Sequence, residues 1–200
     1  MKSPAEMAGL QLFTGADDWW HNACVNWGHF NWDLYAMGYK SAADALVDDA
    51  MISGSKLDTH VFPIVFLYRQ YLELRLKELV ASGRSLVDRP QTKKLDHKLE
   101  PLWSELRGII EEVWPDDGPE DLDAIQDYIA QFCSVDPTST AFRYPSAKNG
   151  SPSLPGVRLI NLRQLRLVMA SVSQLLEGVS AAIDVYLGYK RDMEADGHGR

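Results

Sequence analysis

Apolar residues recur at alternating spacings of three and four over residues 162–186, near the carboxyl end of the chain. They are Leu162, Leu165, Met169, Val172, Leu176, Val179, Ile183 and Tyr186. This is the period of one face of an α-helix. A second row repeats every seven residues beside the first, through Val168, Leu175, Ala182 and Tyr189. The pattern predicts a helix of about 30 residues, about 45 Å long, at the centre of a helical bundle.

A second long helix is predicted to begin at Thr59, a candidate N-cap, and to stop at Gly83, with a proline in its first turn. Its apolar stripe contains Phe62, Val65, Phe66, Leu72, Leu76 and Leu79. Arg69 falls within that stripe. A buried guanidinium is costly unless its donors are satisfied, so Arg69 needs a partner. Glu73, one helical turn further on, is the nearest candidate.

Shorter helices complete the predicted fold. Their ranges are 17–38, 41–52 with Ser41 as its cap, 101–113 and 119–133. Each carries apolar residues at helical spacing. The basic stretch 84–98 is interpreted as a solvated loop. The sequence therefore predicts an all-α protein, an up-and-down bundle of five to six helices that ends in a long C-terminal helix.

The connection over residues 137–156 is longer than most links between helices, and loops of that size are commonly either functional or disordered. At its centre stands the group Phe142-Arg143-Tyr144-Pro145. Two aromatic rings and a proline can pin a loop against a helical surface. We therefore expect the centre of this connection to be ordered.

Length and composition add the domain organisation. A chain of 200 residues suits one domain, here residues 1–200, and we expect flexible tails at 1–16 and 191–200. Cys24 and Cys133 are the only cysteines, which fits free thiols in a reducing, cytoplasmic compartment. No apolar run suggests a leader or a membrane span. The formal net charge of -8 limits any contact with nucleic acid to a local patch.

Several segments together resemble bacterial HEPN-like proteins, over roughly residues 39–190. They are residues 39–44 (YKSAAD), 63–77 (PIVFLYRQYLELRLK), 97–103 (HKLEPLW), 136–137 (DP) and 142–145 (FRYP). The resemblance implies an α-helical up-and-down bundle that is frequently dimeric. It also implies membership of a group that includes RNA-cleaving toxins, phage-defence factors and catalytically silent binding modules.

The nucleolytic branch of that family carries an arginine followed, after four to six residues, by a histidine near the helix seam. This chain departs from that pattern. Arg89 and His97 are too far apart, and the one formal match, Arg191 with His198, lies in a polar tail. We therefore expect a non-catalytic or conditionally active HEPN-like module of a bacterial defence, toxin or stress system. The alternative is a metal-independent endoribonuclease.

If the chain cleaves RNA through the substrate's own 2′-hydroxyl, the reaction needs a proton shuttle and a cation near the phosphate. His97 is the candidate shuttle, and Arg143 or Arg69 is the candidate cation, with Tyr144 beside Arg143. Arg69, Glu73, Arg143 and Tyr144 are the candidate ligand-binding set.

Each of these candidates also has a purely structural interpretation. His97 also fits the start of a helix, where its side chain would hydrogen-bond backbone groups. Arg143 and Tyr144 suit a loop anchor, with Arg143 paired to a carboxylate such as Asp136. No cofactor is expected.

A metal site is a further possibility, at His21, Cys24 and His29. Their spacing does not bring three ligands together on one helix face, and compact zinc sites usually have four ligands. We therefore predict no metal.

Trp19, Trp20, Trp27 and Trp32 are interpreted first as core residues and second as an interface. The expected partners are a second copy of the chain, a partner protein, and RNA or a nucleotide.

Overall fold

The computed structural model describes residues 3–25, 32–91 and 97–197. Within them the chain forms α1 (Trp32–Ser53), α2 (Leu57–Leu86), α3 (Leu99–Val113), α4 (Glu120–Val135) and α5 (Leu162–Gly197). Two short 3-10 turns, Ala5–Met7 and Trp19–His21, precede them. No strand occurs in these described ranges. The predicted all-α class, the helix number and the long C-terminal helix are confirmed.

The chain divides into two compact units, Met1–Phe30 and Asn31–Arg200. The second unit contains all five helices, and every residue of the hydrophobic core belongs to it. The helical domain predicted over residues 1–200 therefore has its core in this second unit.

The most deeply buried helix is α2. It contacts α1, α3 and α5. Its residues Tyr68, Tyr71, Leu72, Leu76, Leu79 and Val80 are each at most 2 % exposed. Residues 61–68 of this helix are apolar nearly all round, which is typical of a helix surrounded by neighbours.

The prediction that the C-terminal helix is central is wrong. α5 packs against α2 and α1 and buries a stripe formed by Leu162, Met169, Val172, Leu176 and Ile183. The second row beside it is only half-buried at Val168, Leu175 and Ala182, and Tyr189 is 63 % exposed. One covered stripe places α5 on the outside of the bundle.

The helix predicted over 17–38 is wrong for residues 17–25, which contain only the 3-10 turn Trp19–His21, and its last residues join the helix predicted over 41–52 in the single helix α1. Ser41 lies inside it and its hydroxyl donates to the carbonyl of Gly38 at 3.1 Å. The buried positions Ala36, Ala43, Val47 and Ala50 keep one helical face across Ser41, so packing favours continuity over a cap. Residues 26–31 of the predicted range lie outside the described residues.

The prediction that the tryptophans are core residues is wrong for the two that the structure describes in the first compact unit. Trp19 and Trp20 stack on each other with ring centroids 3.9 Å apart, but they are 62 % and 77 % exposed. They are therefore not core residues. Trp32 is half-buried, and Trp27 lies outside the described residues.

The ends of α2 differ from those predicted. The helix begins at Leu57, two residues before Thr59, and Pro63 lies in its interior. It continues past Gly83 to Leu86. A Cβ at Gly83 would lie 3.1 Å from Cγ2 of Ile109 on α3, so this glycine permits close helix packing and does not end the helix.

The remaining helices follow the sequence more closely. α3 ends before Trp114 and α4 begins after Pro119, as predicted. α5 has 36 residues and continues through residues 191–197, where a flexible tail was predicted. Of the predicted loop 84–98, the first residues belong to α2, and residues 92–96 are outside the described part.

The connection between α4 and α5 runs to Asn161 and is anchored at its centre. Phe142 is only 7 % exposed, and Ser146 and Pro152 form an isolated antiparallel bridge. The predicted ordering at Phe142 is confirmed, because its aromatic ring is buried in the protein.

By length and composition alone, α5 is apolar enough to cross a membrane, and 28 % of its most apolar stretch is buried. Core helices of globular proteins meet the same criterion. The expected cytoplasmic location and the absence of a membrane contact remain predictions.

Candidate functional site

Arg69 lies inside the protein at the meeting point of α2, the start of α3 and the end of α4. Its side chain is 1 % exposed. Nη1 donates to Glu73 Oε2 at 3.2 Å, Nε to the carbonyl of Asp136 at 3.2 Å and Nη2 to the carbonyl of His97 at 3.3 Å. The buried arginine and its predicted partner Glu73 are therefore present. The guanidinium joins three elements.

Glu73 continues this network on the other side. Its Oε1 accepts from Lys77 Nζ at 2.8 Å and lies 2.8 Å from His97 Nδ1. Burial raises the pKa of Glu73, but the hydrogen bonds and charges of Lys77 and His97 outweigh it, so the pKa lies below its ordinary value. Glu73 is thus held as a carboxylate between three basic side chains.

His97 is the exposed end of the network. Its side chain is 77 % exposed, whereas that of Glu73 is 4 % exposed. A ring nitrogen that hydrogen-bonds a carboxylate carries a proton, so Nδ1 is the protonated nitrogen in this contact. Nδ1 also lies 3.3 Å from Lys77 Nζ. A buried carboxylate therefore orients an imidazole at the protein surface.

Arg143 and Tyr144 form a second group. Arg143 Nε donates to the carbonyl of Ser139 at 2.6 Å. Its guanidinium carbon lies 5.6 Å from the ring centroids of both Phe66 and Tyr144, within the range of cation–π contacts. Tyr144 is 56 % exposed. This group presents a cation and an aromatic ring to the outside.

The predicted pairing of Arg143 with Asp136 is not what the structure shows. Asp136 is 1 % exposed and its Oδ1 accepts the backbone N–H groups of Thr140 and Ala141 at 2.7 and 3.0 Å. The carboxylate therefore stabilises the turn that follows α4. Asp136 thus pairs with backbone N–H groups only four and five residues further along the chain. Arg143 donates to the carbonyl of Ser139 instead.

Both groups lie along one face of α2. Phe66, Arg69, Glu73 and Lys77 are spaced by three, four and four residues, which places them on the same side of the helix. Seven residues separate Phe66 under Arg143 from Glu73 beside His97, or about 10 Å along the axis. We call this the α2 polar face. It brings together all of the sequence-predicted site residues, in two groups.

Lys77 was not among the sequence candidates. It is 6 % exposed and pairs with Glu73. The signal was available, because Arg69, Glu73 and Lys77 succeed one another at spacings of four residues.

Sequence reasoning also missed a second buried arginine. Arg75 is 2 % exposed, and its Nη2 and Nη1 lie 2.7 Å from Asp33 Oδ1 and Glu78 Oε2. Burial, together with the charges of Asp33 and Asp184, raises the pKa of Glu78 despite the opposing charge of Arg75. Of these two partners of Arg75, only Glu78, three residues further on, could be predicted from helical spacing.

The considered metal ligands do not converge in the part of the chain that is described. His21 Nδ1 bonds Asp18 Oδ2 at 2.7 Å and Cys24 is exposed, while His29 lies outside that part. No group of three His, Cys, Asp or Glu side chains within it is arranged to hold a metal ion.

The formal arginine–histidine match is likewise incomplete. Arg191 Nε donates to the carbonyl of Leu187 at 3.2 Å, and His198 lies outside the described residues.

Two apolar grooves are lined by the last residues of the connection between α4 and α5. The first, about 540 Å³, lies where the end of α1, the start of α2 and the start of α5 meet, and the second, about 470 Å³, lies between α4 and α5. Phe142 and residues 157 and 159–161 line both. Comparison with protein-family models, with curated proteins and with solved structures finds no match to this chain.

Proposed function

We propose that this chain is a non-catalytic or conditionally active HEPN-like module of a bacterial defence, toxin or stress system, which acts through protein contacts. The observation that carries the proposal is the internal use of Arg69. Its donors meet Glu73 and two backbone carbonyls, and the side chain is 1 % exposed. A cation that serves catalysis must reach the phosphate, and Arg69 is closed to it. The apolar grooves instead offer surface for a binding partner.

RNA or a nucleotide is a secondary ligand in this proposal. Arg143 and Tyr144 offer a cation and an exposed aromatic ring, the two features on which bases stack and phosphates rest. The net charge of -8 confines this contact to their neighbourhood. A homodimer, as expected from the family resemblance, is part of the same proposal.

One observation favours the alternative, a metal-independent endoribonuclease. His97 is exposed and is oriented by the buried carboxylate of Glu73 at 2.8 Å. An imidazole held in one orientation by a carboxylate is a common arrangement for a general base. Arg143 would then supply the charge that stabilises the transition state.

The deciding experiment incubates the purified full chain with total RNA in the presence of a metal chelator. The binding-module proposal expects intact RNA. Cleavage that is lost in His97→Ala but retained in the control His21→Ala, with unchanged helical circular dichroism in both, would establish the nuclease instead. Cleavage that persists in all three proteins would remove His97 from the mechanism, and Arg143→Ala would then separate a nuclease of this chain, which loses activity, from a contaminant, which does not.

A further inference from the structure

Residues 157–161, the segment that leads into α5, separate the two apolar grooves. Leu159 stands between them and is 94 % exposed. Phe142 lines both grooves and is buried. An exposed leucine flanked by apolar grooves is a surface that a bound chain would cover.

The backbone of this segment is open as well. Val157 N–H bonds the carbonyl of Leu154 at 3.4 Å, and Asn161 accepts from Leu165 at 2.9 Å. Between them, the peptide groups of residues 158–160 make no hydrogen bond to any other described residue. Unpaired peptide groups beside a groove are what a bound extended peptide uses for its main-chain hydrogen bonds.

The charges at the first groove are of the opposite sign to the protein as a whole. Arg158 and Arg163 line it and both are exposed. Neither forms an ion pair within the described ranges, and Asp58 is the one carboxylate residue among those that line the groove. The groove therefore carries excess positive charge in a chain of net charge -8, which favours a ligand that bears carboxylates.

We propose that residues 157–161 and the two grooves bind an extended, acidic segment of a partner protein. Main-chain groups of that segment pair with residues 158–160, its apolar side chains enter the grooves on either side of Leu159, and its carboxylates meet Arg158 and Arg163. This inference rests on the proposed function as a protein-binding module and names the chemistry of the partner.

The test selects a phage-displayed library of random peptides on the full-length protein. We expect the enriched peptides to combine apolar residues with Asp or Glu. One enriched peptide is then synthesised with a fluorophore, and its affinity is measured by fluorescence anisotropy.

Arg163→Glu is expected to weaken binding of that peptide by about ten-fold or more, because attraction becomes repulsion. A carboxylate in the first turn of a helix is tolerated, so this variant should fold. Arg191→Glu is the matched control, with the same change in charge on the same helix, 28 residues or about 42 Å away. Leu159→Ser, at a surface position, is also expected to weaken binding.

Failure to enrich peptides, enrichment without acidic residues, or equal affinities for Arg163→Glu and Arg191→Glu would overturn the inference. So would light scattering that shows a dimer for the natural chain and a monomer for Leu159→Ser, since a second copy would then cover the grooves. The RNA assay, which contains no peptide, decides the proposed function separately.

Discussion

Buried charges at single residues dominate the α2 polar face. Arg69, Glu73 and Lys77 are all at most 6 % exposed, and the carboxylate of Glu73 pairs with both cations. Removal of one member leaves a buried charge with fewer partners.

Replacement of Arg69 with Ala is expected to lower the free energy of unfolding by about 3–5 kcal/mol, because Glu73 and two buried carbonyls lose a donor. Urea unfolding followed by circular dichroism measures the change. Arg89→Ala is the control, since Arg89 pairs with Glu112 at the surface and should lose at most about 1 kcal/mol. Equal losses in the two variants would contradict the structural role of Arg69.

Glu73 is expected to make stability sensitive to acid. Its pKa in the folded protein lies below the ordinary value of 4.5, so the unfolded chain binds the proton more readily. The stabilisation is therefore present above about pH 4.5 and is lost as the pH falls through the folded-state pKa.

Glu73→Gln should remove this dependence and flatten the acid limb of a plot of Tm against pH, besides lowering Tm at neutral pH. Glu111→Gln, whose carboxylate pairs at the surface with Arg107, is the control and should keep the acid limb. An acid limb unchanged in Glu73→Gln would show that other carboxyls cause it.

The two thiols are expected to differ in reactivity. Cys24 is exposed, whereas burial, reinforced by the charge of Glu100, raises the pKa of Cys133 and disfavours its reactive thiolate. Titration of the native protein with a chromogenic disulfide should give one fast and one slow phase, with the fast phase absent in Cys24→Ser. Two fast phases would show that Cys133 is accessible.

At the scale of elements, close approach of α2 and α3 depends on one small residue. A Cβ on Gly83 would lie 3.1 and 3.2 Å from Cγ2 and Cδ1 of Ile109, closer than ordinary contacts. Gly178 on α5 has nothing within 4 Å of the same position. The two helical glycines thus differ in whether a side chain of a neighbouring helix lies against them.

Gly178→Ala is expected to stabilise the protein by about 0.5–1 kcal/mol, the usual difference in helix propensity. Gly83→Ala has the same intrinsic gain but must displace Ile109, so it should gain less or destabilise. Urea unfolding of both variants measures the difference. An equal gain at both positions would show that α2 and α3 are not so closely packed.

At the scale of the whole molecule, the core lies in one of the two compact units. Its residues range from Ala36 to Ile183, all within Asn31–Arg200. The apolar side chains of the first unit, such as Phe13 and Trp20, are exposed.

Deletion of residues 1–30 is therefore expected to leave cooperative thermal unfolding in place, with a Tm shifted by only a few degrees, because the described core residues all belong to the second unit. Differential scanning calorimetry of the truncated and full chains measures this. Loss of the cooperative transition on truncation would show that the first unit is needed for folding.

The amino-acid sequence by itself determined the helical class, the end of α3, the start of α4, and the partnership of Arg69 with Glu73. All four depend on residues within a few positions of one another, where the helical period of 3.6 residues decides which side chains share a face. Lys77 was within reach of the same reasoning.

Only the tertiary structure decided the rest. That α2 rather than α5 is central depends on which neighbours cover each stripe. That His97 meets Glu73, 24 residues away in sequence, and that Arg143 lies over the ring of Phe66 depend on how the connections fold back onto α2. The grooves beside Leu159 arise where α1, α2, α4 and α5 meet the connection that precedes α5. Periodicity along one segment carries no information on such contacts, because they are formed by packing between segments distant in sequence.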